Sequence, residues 1–373
     1  MYFSPLKQTL IWFVCLVGIM LVVPTFYSKE TVASWPSWVP HKQLSLGLDL
    51  SKDEGKAVLL RLLDGADVLI ENFKPGSMES WGIGYEEVLS KRFPRLIYCK
   101  ISGFGPDGPL GGFPGYDGII GAMVGHYSVN GAPETGPMRL GLPVVDISTG
   151  LYSVIGILMA MHERTRSGRG QYLDMTLYDC ALTLMHPHFP NYFLSGKVPG
   201  LTGNSHSNLV PYGMFQTRTC KVVIGAGNNR AFAKVCEELG HPELASDPRF
   251  KTNGDRQKHR EALTAIITEA LSKVDGVAFS LKLLKAGLPC GPVLDTGQVL
   301  TSDHVKARRM VLEMAGYKGT GMPIKMSRTP PKLKSPPPKF SEHARAILAE
   351  HGFDAGAIER LAASGILVEK RRT

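Results

Sequence analysis

The sequence predicts an α/β fold whose larger domain is built on a parallel sheet. From residue 48 onward, short apolar segments alternate with longer segments of helical periodicity, the pattern of strands connected by helices. The chain has 373 residues, enough for two domains of ordinary size. Its composition, with 43% hydrophobic and 20% charged residues, excludes a largely disordered chain and a membrane protein with many spans.

The first part of the chain supplies the predicted strands and the helices between them. Residues 52–63 have apolar side chains at helical spacing and an acidic first turn, which predicts a helix. Residues 67–70 form a short apolar run that predicts a buried strand. The same arguments predict, in chain order, a helix over 85–91, a strand over 96–101, a Gly/Pro-rich loop over 102–117, a helix over 118–127, a strand over 142–145, a helix over 148–164 and a strand over 172–176.

The character of the sequence changes near residue 200, where a smaller α+β domain is predicted. Residues 196–211 are rich in Gly, Ser, Asn and Pro, which is typical of a linker or an active-site loop. Residues 213–226 alternate like an antiparallel hairpin, and helices are predicted over 229–239, 257–271 and 277–286. The predicted domains are a large domain over 42–195, a small domain over 196–324, and a segment over 325–373 that joins a proline-rich connector to a helical part, 341–367, and returns to the large domain.

Residues 1–41 have an atypical hydrophobic composition. The run over 10–23 is unbroken and apolar, yet it is shorter than the ~20 residues that a helix needs to cross a bilayer. Its length is closer to the core of a signal peptide. Three interpretations stay open: a membrane anchor that contacts lipid through residues 10–27, a secretory signal, or an aberrant start joined to a truncated domain.

The charge, the cysteines and the histidines limit the partners, the compartment and the metal sites that the sequence predicts. The formal net charge is +9, but the basic residues are scattered and show none of the spacings of nucleic-acid-binding motifs, so no nucleic-acid partner is predicted. The six cysteines form no CxxC pair, which favours buried thiols in a reducing, cytoplasmic compartment. His186 and His188 have His-x-His spacing without a neighbouring Cys or carboxylate, so no metal site is predicted.

The segment over 140–171 carries the strongest candidate for chemistry. An apolar strand is predicted to end at Asp146, with a helix beginning two residues later. Ligands bind at the carboxyl ends of parallel strands, and the positive end of a helix dipole favours an ionised carboxylate. Asp146 is therefore a candidate nucleophile or base. The alternative is that Asp146 only caps the helix.

Eight segments, in chain order, resemble the class III CoA-transferases. They are DVLIENFKPG from Asp67, RLIYCKISGFGPDGP from Arg95, PGYD from Pro114, VDISTGLY from Val145, SGRGQ from Ser167, NLVPYGMF from Asn208, GAGNNRAF from Gly225 and GLPCGPV from Gly287. The resemblance covers residues 44–367. It implies a Rossmann-like large domain, a smaller α+β domain and an interlocked homodimer. It also implies acyl-CoA and carboxylate substrates, with no cofactor beyond the CoA thioester itself.

The resemblance further implies a role for Asp146. This residue falls on the family's nucleophile, which attacks the acyl-CoA thioester, forms a mixed anhydride and is converted to an aspartyl-CoA thioester before CoA passes to the acceptor. It also implies residues that bind CoA or the other substrate. These are Asn72, Phe73 and Lys74 after a strand, Tyr116 and Asp117 in the PGYD segment, and Gly203, Asn204 and His206 in a mobile loop that covers the intermediate. For Phe73, simple core packing is the alternative.

Other functions stay open beside CoA transfer to a carboxylate. The related α-methylacyl-CoA racemases have Gly-His-Asp where this chain has Gly115-Tyr116-Asp117. Because racemisation needs two opposed acid/base groups and a tyrosine with a pKa of ~10 is a poor substitute for histidine, transferase activity is favoured. Residues 203–215 look closest to the branch that acts on small dicarboxylates. The family's first strand and helix have no counterpart in residues 1–41, so an inactive homologue is a further alternative.

Overall fold

The computed structural model describes residues 43–331 and 335–370. The predictions on residues 1–41, and those on part of the proline-rich connector, lie outside this range. The chain divides into two compact units. The first contains the described residues up to His126, Leu140–Asn191 and the described residues from Arg309 onward; the second contains Tyr127–Arg139 and Tyr192–Arg308. The domain boundaries drawn from the sequence stay predictions.

The described residues form helices and strands that include most of the elements predicted from the sequence. The helices are α1 (Asp53–Leu62), α2 (Ser77–Ser80), α3 (Ser90–Arg92), α4 (Asp117–Met123), α5 (Val144–Ser167), α6 (Leu177–Thr183), α7 (His188–Ser195), α8 (Asn229–Glu238), α9 (Asn253–Lys258), α10 (Arg260–Ser272), α11 (Gly276–Lys285), α12 (Thr296–Thr301), α13 (Asp303–Ala307), α14 (Ala344–Glu350) and α15 (Ala355–Ala363). The strands are β1 (Val68–Glu71), β2 (Ile97–Ser102), β3 (Gly131–Ala132), β4 (Gly136–Pro137), β5 (Tyr172–Thr176), β6 (Tyr212–Gln216), β7 (Lys221–Gly225), β8 (Cys290–Pro292), β9 (Val311–Met314) and β10 (Tyr317–Thr320). A π-helical turn, Tyr85–Leu89, leads into α3, and short 3-10 turns lie at His126–Ser128 and Pro242–Ala245.

A parallel sheet forms the centre of the first unit, which confirms the predicted α/β class. Its strand order is β1-β2-β5, and both strand pairs are parallel. One face packs on α5, where Ile157 and Ala160 join Val68, Ile97 and Cys99 in one buried cluster. Strands buried on both faces explain why β1 and β2 are almost continuous apolar runs in the sequence.

Helix α5 is held at its carboxyl end by a side chain. Arg164 donates from Nη2 to Asp67 Oδ1 at 2.6 Å and from Nη1 to the Arg95 carbonyl at 2.8 Å. Both partners precede strands of the sheet. Arg164 is buried and its bonds are partly buried, so it fixes the last turns of α5 against the amino ends of β1 and β2.

The C-terminal segment closes on the start of the described chain. Leu48 and Leu367 form an antiparallel bridge, and the Val368 amide donates to the Gly47 carbonyl at 3.0 Å. The predicted single helical segment is two helices, α14 and α15, because Gly352 between them adopts a φ of 75° that ends the first helix. Arg345 then links them by ion pairs with Glu359 and Glu369.

The second unit contains an antiparallel sheet in the order β6-β7-β8. Strands β6 and β7 form the hairpin predicted over 213–226. Its buried face, including Phe215, Val222 and Ile224, shares one apolar cluster with residues of α8, α10 and α11. The helix predicted over 257–271 is interrupted at His259, which separates α9 from α10.

One predicted strand is wrong, and the error concerns the candidate nucleophile. Residues 142–145 do not form a strand, because α5 begins at Val144 with Pro143 as its N-cap residue. The β-branched pair Val144-Val145 favours a strand locally. Val145, however, is buried against Ile120 and Leu177 from neighbouring helices, and this packing outweighs its local preference.

Candidate active site

Asp146 lies in the first turn of α5 rather than at the end of a strand. It is the third residue of the helix and is half-buried. Its neighbour Val145 points into the core, which directs the helix start against α4 and α6. The residue predicted as nucleophile is therefore held by a rigid helix whose first turn is itself part of a packed cluster.

The amide groups at the start of α5 are bound by another residue, Asp117. Its Oδ2 atom accepts hydrogen bonds from the Val145 amide at 2.9 Å and from the Asp146 amide at 3.2 Å. The alternative in which Asp146 merely caps its own helix is therefore wrong, because Asp117 at the start of α4 supplies the cap. The structure thus brings together two of the predicted site residues, Asp117 and Asp146.

The electrostatics of Asp146 differ from the expectation based on the helix dipole. Burial raises the pKa of the Asp146 carboxyl above its usual range, and the negative charge of Asp117 raises it further. The dipole of α5 would act in the opposite direction. Burial and a like charge thus favour the protonated form and make Asp146 a more basic carboxylate than an exposed aspartate.

A close backbone contact positions the PGYD segment that contains Asp117. After β2 the chain runs through a long Gly/Pro-rich loop and returns at Gly115, which packs against the backbone of Gly103. The Gly103 carbonyl also accepts a hydrogen bond from the Tyr178 amide at 3.1 Å, at the start of α6. Tyr116, in contrast, presents an exposed side chain.

The segment predicted to contact CoA follows β1 directly. The Phe73 amide donates to Glu71 Oε2 at 2.6 Å, and the Phe73 ring meets Trp81 edge to face at 5.2 Å between centroids. Asn72 is half-buried, and Lys74 is exposed. The packing of Phe73 on Trp81 matches the core-packing alternative, while a contact of these three residues with CoA stays a prediction.

A buried polar cluster next to this segment is not predicted by the local sequence pattern. Tyr98 Oη donates to Glu71 Oε1 at 2.9 Å, and Lys100 Nζ lies 3.5 Å from the same oxygen. Burial raises the pKa of the Glu71 carboxyl, and the Lys100 ammonium opposes this shift. The signal available in the sequence was a charged residue inside the apolar run of each strand, which is rare unless the charge is paired.

The remaining predicted site residues belong to the second unit. Gly203 has a φ of 59°, a conformation that favours glycine, and its amide donates to the Gly131 carbonyl at 2.9 Å. Asn204 is exposed, and its carbonyl accepts a hydrogen bond from the Met214 amide at 2.9 Å. His206 accepts hydrogen bonds at Nδ1 from the Asn208 and Leu209 amides at 3.0 and 3.2 Å.

Side chains of α9 and α10 hold the part of this loop that follows His206. The fully buried Arg256 donates from Nε to the Val210 carbonyl at 2.6 Å, and Asn253 donates to the Asn208 carbonyl at 2.8 Å. Arg260 reaches the Ser207 carbonyl at 3.1 Å. These bonds fix the backbone around residues 207–210.

Two further observations bear on metals and membranes. Within 43–331 and 335–370, no group of three His, Cys, Asp or Glu residues could hold a metal ion. Across the same residues, α5 is long and apolar enough to cross a membrane by length and composition. A core helix of a water-soluble domain passes the same test, and α5 packs on the parallel sheet.

The fold is that of an α/β enzyme, and comparison with known proteins identifies its family. The model of CoA-transferase family III matches residues 24–344. The chain therefore belongs to CoA-transferase family III, which confirms the family indicated by its motifs. It is a CoA-transferase, an enzyme that moves CoA from an acyl-CoA thioester to a carboxylate acceptor.

Individual relatives agree with this assignment. The acetyl-CoA:oxalate CoA-transferase of Acetobacter aceti is 38% identical over 317 residues, which cover 84% of this chain and 81% of the relative. The succinate–glutarate CoA-transferase of Agrobacterium fabrum is 36% identical over 311 residues, which cover 82% of this chain and 78% of the relative. The crystal structure of a CAIB/BAIF family protein from Brucella suis matches with a TM-score of 0.76 at 36% identity, covering 90% of this chain and 94% of that one.

Proposed function

We propose that this protein transfers CoA to a small dicarboxylic acid through covalent intermediates on Asp146. The observation that carries the proposal is the Asp146 carboxylate itself. It is half-buried, it lies at the start of a rigid helix, and its pKa is raised by burial and by Asp117. A carboxylate that is more basic than usual and fixed by its helix is suited to nucleophilic attack on a thioester.

The proposed reaction is a series of acyl-transfer steps between carboxylate oxygen and the CoA sulfur. An Asp146 oxygen attacks the thioester carbonyl, the C–S bond breaks, and CoA leaves as a thiolate beside an acyl–aspartyl anhydride. The thiolate attacks the aspartyl carbonyl, releases the donor acid and leaves an aspartyl-CoA thioester. The acceptor carboxylate then displaces the thiolate to form a second anhydride. Attack of the thiolate on the acceptor carbonyl gives the new acyl-CoA and regenerates Asp146.

The class of acceptor is proposed from the relatives. The named acceptors of two of them, oxalate and glutarate, are both dicarboxylic acids. The motif over 203–215 points to the same branch of the family. We expect this chain to use an acceptor with two carboxylates in preference to a monocarboxylic acid of similar length.

Assembly and location are part of the same proposal. Exposed apolar side chains follow one face of α5 and support a homodimer; they are Ile147, Leu151, Ile155, Leu158 and Met159. The described cysteines, residues 99, 180, 220, 236 and 290, are all free thiols, which supports a reducing, cytoplasmic location. Asn72, Phe73 and Lys74 are the proposed contacts to CoA, and Gly203, Asn204 and His206 are further residues proposed to bind substrate.

Intact-protein mass spectrometry tests the proposal. The protein is incubated with succinyl-CoA and trapped with hydroxylamine, which converts an aspartyl thioester to a hydroxamate. We expect a modification in the wild type and none in Asp146→Asn. Asp174→Asn is a matched control, because Asp174 is also a carboxyl whose pKa burial raises. A folded wild-type protein that stays unmodified, or a modification that persists in Asp146→Asn, would contradict the proposal and favour an inactive homologue.

The acceptor is identified in a second assay. Release of a new acyl-CoA is followed by chromatography with oxalate, glutarate and longer dicarboxylates as acceptors, and with monocarboxylates of equal length as controls. Faster transfer to the monocarboxylates would exclude the dicarboxylate class while leaving the covalent mechanism intact.

A further inference from the structure

The start of α5 poses a chemical question, because a helix N-terminus normally stabilises a nearby carboxylate. Its free amide groups donate hydrogen bonds to an acidic side chain in the first turn. Such bonds favour the ionised form and lower its basicity. A nucleophile at the third position of a helix would therefore be made less reactive by its own backbone.

In this chain the amides of the first turn already have acceptors. The Val145 and Asp146 amides donate to Asp117 Oδ2 at 2.9 and 3.2 Å. The Val144 amide donates to the Leu142 carbonyl at 2.9 Å, and the Ile147 amide donates to the Pro143 carbonyl at 3.0 Å. The donors that would otherwise stabilise the Asp146 carboxylate are thus occupied by other oxygens.

We propose that Asp117 is a positioning residue for the nucleophile, whose carboxylate caps α5 and so withholds the helix amides from the Asp146 side chain. The cap fixes the backbone on both sides of the Asp146 amide and leaves the Asp146 carboxylate free to attack. This inference rests on the proposed function of Asp146. It assigns Asp117 a role through Asp146 rather than the direct substrate contact expected from the sequence.

The position of Asp117 is itself fixed by packing. Gly115 lies against Gly103, with their backbones too close to accommodate a Cβ atom. On the following turn, Ile120 is fully buried and shares one cluster with Val145 and Leu177. The cap and the helix that it caps therefore belong to the same core, and Asp117 cannot move away without disrupting that core.

Asp117 also contributes its charge. The elements that pack against the start of α5 are α4, α6 and the end of β2. Besides Asp117, the titratable side chains on these elements are Tyr178, Asp179 and Cys180 of α6 and Tyr98, Cys99 and Lys100 of β2. The charge of Asp179 acts on Asp174 and Cys180, whereas Asp117 is the residue whose charge acts on Asp146. Substitutions of Asp117 can therefore separate its two effects on Asp146, the helix cap and the negative charge.

The test compares Asp117→Asn with Asp117→Ala. The amide oxygen of asparagine can accept the same two hydrogen bonds but carries no charge, whereas alanine removes both the cap and the charge. Asp179→Asn is the matched control. The measurement is the rate of modification of Asp146 by succinyl-CoA in a single turnover, from pH 4 to pH 9, with thermal melting to verify folding.

We expect Asp117→Ala to slow the modification ~100-fold, the effect of a misplaced reacting group. Asp117→Asn should recover most of this loss, and its rate should rise at a lower pH than that of the wild type. Equal rates in the alanine and asparagine variants would overturn the proposal, because they would indicate that the charged carboxylate contacts the substrate. A wild-type rate in Asp117→Ala would overturn it as well.

A second readout does not depend on activity. Titration of the Asp146 carboxyl by carbon NMR should show a lower pKa in Asp117→Asn than in the wild type, and an unchanged value would contradict the inference. This result stands even when no covalent intermediate forms. Failure of the proposed function is recognised separately, by a wild-type protein that shows the expected titration but is never modified.

Discussion

The Cα atom of Gly115 lies so close to Gly103 that a Cβ atom on Gly103 would stand only 2.7 Å from it. A Cβ atom on Gly115 would likewise stand 2.7 Å from Gly103 Cα and 2.9 Å from Ile120 Cδ1. This contact lets the loop after β2 return to the sheet and places Asp117 at the start of α5. Two glycines far in sequence from Asp146, the proposed nucleophile, thus position the residue that caps its helix.

The first prediction follows from this contact. Gly115→Ala should lower the free energy of unfolding by about 1–3 kcal/mol, the cost of an extra methyl group in a packed site. It should also slow modification of Asp146, because the added Cβ displaces Asp117. Urea unfolding and the single-turnover assay measure the two effects. Unchanged stability would show that the loop can move aside without cost.

The second prediction concerns a glycine with the opposite environment. Gly156 lies inside α5, and a Cβ atom there would make only ordinary contacts, 3.7 Å from Leu173 Cδ1 and 3.9 Å from Met175 Sδ. Gly156→Ala should therefore raise the free energy of unfolding by about 0.5–1 kcal/mol, because alanine favours the helix. It serves as the matched control for Gly115→Ala. A loss of stability here would contradict the described packing of α5 on β5.

The third prediction concerns the buried pair of Glu71 and Lys100. Lys100→Met should cost about 3 kcal/mol, because it leaves a buried carboxylate without its cation. The loss should grow as pH rises through the raised pKa of Glu71, since below that pKa the carboxyl is protonated and needs no partner. Urea unfolding at pH 5 and pH 8 measures the difference. Adding Glu71→Gln should restore much of the stability, and a double variant no better than Lys100→Met would refute this explanation.

The fourth prediction concerns Arg256 and the loop after His206. Arg256→Lys should cost about 1–3 kcal/mol, because one ammonium cannot replace the bonds to both the Val210 and Phe250 carbonyls. Amide hydrogen exchange over 205–212 should become faster. Arg260→Lys, at the start of α10 and bonded to the same loop by an exposed hydrogen bond, should change stability by less than about 0.5 kcal/mol. Equal exchange in both variants would show that Arg256 does not hold the loop.

The fifth prediction is that Asp146, the proposed nucleophile, lowers the stability of the folded protein. Because the pKa of Asp146 is raised in the folded protein, its ionised form costs free energy there. Asp146→Asn should therefore be inactive yet more stable at neutral pH, with a melting temperature ~2–4 °C higher. The gain should vanish as pH falls below ~3.9, where the carboxyl is protonated in both states. Asp255→Asn should show no such gain, because hydrogen bonding to Thr252 lowers the pKa of Asp255.

Much of this architecture could be predicted from local sequence. The strands β1, β2 and β5 were indicated by apolar runs, and the hairpin of β6 and β7 by alternation. The family could be predicted from motifs such as VDISTGLY, since eight of them occur in order. These signals depend on residues close together in the sequence. They predict the structure correctly where local preference and tertiary packing favour the same conformation.

The relationships that define the site could not be predicted in the same way. Asp117 and Val145 are 28 residues apart, and no periodicity in the sequence indicates that Asp117 caps the helix that contains Val145. The start of α5 is not predictable locally, because Val144 and Val145 favour a strand, and only the packing of Val145 on Ile120 and Leu177 places them in a helix. The sequence predicts Arg256 to be an ordinary exposed charge on a helix, and only the fold shows that it is buried.

Helix α5 has anchors at both of its ends, contributed by other parts of the first unit. Asp117 holds the first turn, and Arg164 ties the last turns to Asp67 and Arg95. The whole helix is 24 residues long, ~36 Å, and the two anchors lie near its opposite ends. Substitutions along the outward face of α5 can thus change the surface proposed to form the homodimer without shifting Asp146, the proposed nucleophile. A scaffold of this kind lets natural variation or directed evolution reshape one surface of the enzyme while its chemistry is inherited unchanged.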